Sequence, residues 1–209
     1  MDIVNFANHN YSQVIDRTLQ FEIGYHFYEG AGNDKQRGIN FFESSASQGY
    51  ARAQVILGFI FWNGENVSED KEKGMRLLEL AASQGNAEAL TYMFKIYEEQ
   101  ENYEEALQYL LRAAECGKVD MQFLLGILHI RQFRNEDKEV EVRNKNRDEA
   151  IRWLDAAANN DHHEAQFNLG LLQMQGNPDE QSSGIKWMKI AASNQYQDAI
   201  EWIAANPLE

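Results

Sequence analysis

Small residues return in this chain at a nearly constant interval, inside stretches patterned as helices, and that recurrence narrows the possible folds more than any other feature. The stretch 51–85, ARAQVILGFIFWNGENVSEDKEKGMRLLELAASQG, shows the unit. Its first half carries Ala53, Leu57, Gly58, Phe61 and Gly64; its second carries Lys73, Gly74, Leu77, Ala81, Ala82 and Gly85. Each half is about three to four helical turns long, with an Asn-, Gly-, Ser- and Asp-containing loop between them. The position of Gly58 is filled elsewhere by Gly24, Phe94, Gly126, Gly170 and Ala204, at successive spacings of 34, 36, 32, 44 and 34 residues. The position of Gly85 is filled by Gly49, Gly117, Asp161 and Gln195, with matching spacings. Two helices per repeat, stacked copy on copy, describe a solenoid in which each unit buries its apolar face on the next.

The small residues have a mechanical reason. Glycine inside a helix costs about 0.5–1 kcal/mol relative to alanine, so its recurrence implies a close helix contact. On the second helix the matching slots hold Gly38 with Ser45-Ala46, Gly74 with Ala81-Ala82, Ala106 with Ala113-Ala114, Ala150 with Ala157-Ala158, and Gly184 with Ala191-Ala192. Between them stands one large residue, Phe41, Leu77, Tyr109, Trp153 or Trp187, expected to fill the space the small ones leave. Gly49, Gly85 and Gly117 stand where a left-handed residue would end the second helix.

The pattern A-x3-L-G-x2-aromatic-x2-G followed by K-A/G-x2-W-x3-A-A-x2-G resembles the Sel1-like repeat family, relatives of the tetratricopeptide repeats. The resemblance implies an all-α, right-handed α/α superhelical solenoid. It predicts one continuous domain over 1–209: an N-terminal cap at 1–18, repeats at 19–50, 51–86, 87–118, 119–162 and 163–196, and a C-terminal cap at 197–209. Ile3, Val4, Phe6, Tyr11, Val14, Ile15 and Leu19 are expected in the first cap, and Ile200, Trp202 and Ile203 in the second, as a lid on the last repeat. Copy three departs from the pattern through Phe94 and a short interhelix loop. Copy four departs through 134–148, RNEDKEVEVRNKNRD, whose mixed charge and low apolar content predict a solvated, disordered or mobile insertion.

Charge and cysteine usage bound the function. A net charge of −14 argues against nucleic acid as a ligand, because phosphate binding needs a basic surface, and fits either a basic protein partner or plain solubility. No apolar run approaches the ~20 residues of a membrane span, and the N-terminus shows no signal-peptide pattern. Cys116 is alone, whereas some secreted members of the resembled family carry a cysteine pair in each repeat; a reducing cytoplasm is the expectation.

No catalytic or cofactor motif is present, so an enzyme and a cofactor are not expected. His162-His163-Glu164 lacks the spacing of a metal site, and His129 occupies the slot of Phe27, Phe61 and Tyr97, which predicts a packed or hydrogen-bonded histidine. The resemblance implies a protein–protein interaction module whose first helices line the concave wall. If the geometry of the tetratricopeptide relatives carries over, that wall is met one residue after the marker glycine and three to four residues either side. The candidates are then Phe21, Tyr25 and Tyr28; Val55, Phe59 and Trp62; Thr91, Lys95, Glu98 and Glu99; Phe123, Ile127 and Ile130; and Phe167, Leu171 and Met174. The partner expected is another protein with a basic surface, bound by a monomeric adaptor or scaffold. The alternative is a bacterial immunity protein that neutralises a cognate basic toxin by stoichiometric capture, with acidic charge speeding encounter.

Overall fold

The computed structural model describes residues 16–30 and 34–206. The expected N-terminal cap therefore lies outside the described residues, apart from residues 16–18 and Leu19. Eleven helices and no strand are found among the described residues: α1 (Arg17–Glu29), α2 (Lys35–Ser47), α3 (Ala51–Asn63), α4 (Lys71–Ser83), α5 (Ala87–Glu99), α6 (Tyr103–Glu115), α7 (Val119–Phe133), α8 (Val140–Ala158), α9 (His163–Gln173), α10 (Pro178–Ser193) and α11 (Gln197–Ala205). The chain divides into two compact units, Met1–Tyr109 and Leu110–Glu209, and the division falls inside α6.

Within the first unit α1 packs on α2, α3 on α4, and each pair on the next. Phe21, Ile39, Phe42, Leu57 and Ile60 fill its core. The second unit repeats the scheme with α7 on α8 and α9 on α10, around Ile130, Leu154, Leu169 and Leu172.

Close approach explains the recurring glycines. A Cβ on Gly58 would stand 2.7 Å from Leu78, and one on Gly74 would stand 2.8 Å from both the Gly58 carbonyl and the Trp62 amide nitrogen. The large residue facing each marker is therefore Phe42, Leu78, Leu154 or Met188, each almost wholly buried. That corrects the expected Phe41, Leu77, Trp153 and Trp187 by one position. One residue is about 100° of helix, enough to turn a side chain from the partner helix toward the flank. Phe41 and Tyr109 use that flank to stack on Phe27 (5.9 Å) and Tyr97 (5.5 Å).

The paired small residues close each second helix. The carbonyls of Ser45, Ala81, Ala113, Ala157 and Ala191 accept from the amides of Tyr50, Asn86, Lys118, His162 and Tyr196, across a left-handed Gly49, Gly85, Gly117, Asp161 or Gln195. At three of these five helix ends the next carbonyl serves the following repeat. Gln54, Gln122 and Gln166 are buried and donate from Nε2 to Ala46 O (3.3 Å), Ala114 O (3.1 Å) and Ala158 O (3.1 Å). Gln84 and Asn194 in turn donate to the Oε1 of Gln54 (2.7 Å) and Gln166 (3.2 Å). Each such bond between neutral groups contributes about 1 kcal/mol, and more would be lost by stranding a buried amide.

The segment 134–148 is mostly exposed, as expected of a solvated insertion, but it is largely helical instead of disordered. Only Arg134–Glu139 lies outside helix; α8 begins at Val140 and runs 19 residues. The extra turns hold because their polar side chains find local partners. Asn146 donates to Val142 O (2.8 Å) and pairs with His129 Nδ1 (2.9 Å), while Arg143 Nε donates to Phe133 O (3.0 Å). Arg147 forms a two-pronged ion pair with Glu180 at 3.2 and 2.9 Å, on the first turn of α10. At the other end, α11 docks through buried Ala199 with Trp202 and Ile203 half-buried, whereas Ile200 stays 41% exposed instead of joining the lid.

Candidate functional site: the first-helix faces

In the first unit, α1, α3 and α5 present a run of aromatic side chains. Tyr25 is 50% exposed, and Phe59, Trp62 and Tyr92 are half-buried. A groove of about 240 Å³ has Tyr25, Tyr28, Val55 and Phe59 among its lining residues and the carboxylates of Glu29, Glu65 and Glu88 around it. Phe59 and Tyr92, with ring centroids 5.5 Å apart, form the ridge to a second groove of about 170 Å³ that includes Trp62, Lys95 and Glu99. The sequence-derived residues are thus brought together in part. Phe21, Tyr28 and Val55 are buried, so they form floor or core, and Glu98 is exposed outside both grooves.

Electrostatics at the first groove favour cations. Burial pushes the Tyr28 hydroxyl above its usual range; a hydrogen bond from the Asn66 amide (3.3 Å) works the other way, and the charges of Glu65 and Glu29 push it up further. The same ring already receives a cation from within the chain, since the Lys35 ammonium stands 4.4 Å from its centroid.

Glu65, Glu88 and Tyr92 also line these grooves and are absent from the sequence-derived candidates. Tyr92 lies three residues before Lys95, where Thr91, four before, is the position selected; Glu88 lies one further turn back on the same face. Glu65 stands just beyond the left-handed Gly64 that ends α3, where helical spacing no longer applies.

In the second unit the same register gives an aliphatic surface. Ile127 is half-buried and Ile130 buried, lining a groove of about 340 Å³ with Arg131, Arg134 and Asn168. Leu171 and Met174 are half-buried outside it. Phe123 stacks on His162 at 4.4 Å, and Phe167 meets Tyr196 at 5.5 Å.

His162 has a structural occupation: its Nδ1 accepts from the Ala165 amide at 3.2 Å and so caps α9. No group of three or more His, Cys, Asp and Glu among the described residues is arranged to hold a metal ion. No helix among them is long and apolar enough to cross a membrane.

The family model of the Sel1 repeat matches residues 19–50, 51–86, 88–118, 140–162 and 163–196. No curated protein matches the chain. Among solved structures, a Sel1 repeat protein from Oxalobacter formigenes is similar at 23% identity and TM-score 0.69, over 90% of this chain and 55% of its own. A protective antigen of uropathogenic Escherichia coli strains, displaying an SLR fold, is similar at 27% identity and TM-score 0.62, over 85% of this chain and 38% of its own. This chain therefore spans little more than half of the first and well under half of the second. An immunity protein from Pseudomonas aeruginosa is similar at 17% identity and TM-score 0.48, over 92% of this chain and 75% of its own, too distant a likeness to bear on function. The helix pairs, their glycine contacts and five matched segments across most of the sequence agree, and the chain belongs to the Sel1 repeat family.

Proposed function

We propose that the protein is a non-enzymatic adaptor that docks another protein on the α1/α3/α5 face of its first unit, taking a segment that carries lysine or arginine beside an apolar residue. Sel1 repeats are protein–protein interaction modules. One observation carries the finer reading: an aromatic groove ringed by Glu29, Glu65 and Glu88 pairs apolar contact with negative potential. Exposed aromatics of this kind are the side chains that dominate interface energetics.

The test begins with capture of a partner from the native host and its identification by mass spectrometry. Calorimetry with the purified partner then compares the parent chain with Tyr25→Ala, Phe59→Ala, Trp62→Ala and Glu65→Gln. Tyr25 and Phe59 replacements are expected to weaken binding by about tenfold or more, as for central interface aromatics. Added salt should weaken it further. Unchanged affinity in all four variants would remove this face as the docking surface.

A second reading, a stoichiometric inhibitor of a basic toxin domain, is favoured by the charge of −14. It calls for tight one-to-one binding and rescue of cells expressing the toxin; binding without rescue leaves the adaptor reading standing.

A further inference from the structure

Eight of the ten arginines are accounted for within the chain. Arg17, Arg76, Arg143, Arg147 and Arg152 bond to carbonyls or carboxylates, Arg52 lies over Phe21, and Arg37 and Arg112 also have partners. Arg131 and Arg134 are the exceptions. Among the described residues neither guanidinium is in a hydrogen bond, an ion pair or a ring contact, although Glu136 and Asp137 follow directly in sequence. Both line one groove of the second unit, at the C-terminal end of α7. Half-buried Ile127 and buried Ile130 also line it, with Asn168 from α9.

Two unengaged guanidiniums one helical turn apart, above an aliphatic floor, make a defined combination in a chain of net charge −14. A guanidinium presents a planar fork that matches a carboxylate in two-pronged fashion. The isoleucine floor adds a demand that a bare anion does not meet: the ligand must also bury an apolar group. We infer that this groove is a docking site for a partner-protein segment in which aspartate or glutamate stands beside an aliphatic side chain. Favourable placement of cations at a helix C-terminus accounts for positive charge there, but not for the pairing of forks with an apolar floor. The inference is independent of the first unit's groove, which has other residues and the opposite charge.

Fluorescence anisotropy with a labelled, acetylated and amidated peptide of alternating leucine and glutamate tests it. Saturable binding is expected. R131Q/R134Q should weaken it by about tenfold or more, and R131K/R134K by less, because lysine keeps the charge and loses the fork. A leucine–glutamine counterpart should bind about tenfold more weakly. Helical circular dichroism should be unchanged in both variants, since both arginine side chains are exposed. Equal binding of the two peptides, indifference to the arginine replacements, or absence of saturable binding would each overturn the inference. Displacement by inorganic phosphate where the glutamine peptide has no effect would reassign the groove to phosphoryl anions, and so overturn it as well.

Discussion

Five residues after its marker glycine, α1 carries Glu29; five residues after the equivalent glycine, α7 carries Arg131. Each lines a groove of its own unit, the first floored by aromatic rings and ringed by carboxylates, the second floored by isoleucines and edged by guanidiniums. Beneath both faces the support is the same: Gly24 against Phe42 and Gly58 against Leu78 in one unit, Gly126 against Leu154 in the other. The repeat therefore separates two tasks. Buried small-to-large contacts set where the helices lie, and a few outward positions set the charge around each groove.

If that separation holds, the largest effects come from the shared support. Leu78→Ala and Leu154→Ala should each cost about 2–5 kcal/mol in urea unfolding, the range for emptying a well-packed leucine site. Leu77→Ala, at the flank, should cost clearly less. A Leu77 loss equal to that of Leu78 would break the one-position assignment.

A smaller effect distinguishes the units by their links between second helices. Arg147 and Glu180 are largely shielded, whereas Lys73 and Glu43, 3.0 Å apart in the first unit, are both exposed. Arg147→Ala should cost about 1 kcal/mol near neutrality and Lys73→Ala about half that or less. The Arg147 guanidinium, with a bond from the Asn177 amide, holds the Glu180 carboxyl below its usual value of 4.5. A lowered value stabilises the fold above that range, and the contribution disappears as pH falls through 4.5 and then through the folded-state value. The gap between parent and Arg147→Ala unfolding midpoints should therefore close on acidification. A gap constant with pH would detach the ion pair from stability.

The smallest expected effect sharpens the other half of the comparison. Reversing Glu29→Arg and Arg131→Glu together should shift thermal stability by no more than about 0.5 kcal/mol, as for surface substitutions away from structural features. A larger loss would mean that these charges help hold the fold.

Much of the support is legible in the sequence, because glycine and alanine at fixed spacing have few alternative explanations. Left-handed Gly49, Gly85 and Gly117 follow from the same spacing. The buried glutamines are less visible, although Gln54, Gln122 and Gln166, like half-buried Gln20, stand four residues before a marker. A lone glutamine in an amphipathic helix reads as surface, and only the backbone carbonyl beside it shows otherwise. The segment 134–148 misleads for a related reason. Its charge correctly signals solvent exposure but hides the helix, since glutamate, lysine and arginine are good helix formers and the partner that fixes Arg147 lies 33 residues away. At the first groove, Tyr25 and Phe59 are recoverable from register, but Glu65 depends on where the chain turns after α3, and no periodicity reaches that far.

The glutamine bonds also have a direction in time. Gln54, Gln122 and Gln166 each donate to a carbonyl eight residues behind them. Synthesis delivers a chain from its N-terminus, so α3, α7 and α9 each emerge to find this acceptor already made. The residue that completes the far side of Gln54 follows 30 positions later, and that of Gln166 follows 28 later. Assembly on the ribosome can thus seal the seams of Gln54 and Gln166 on their older side before their younger side exists.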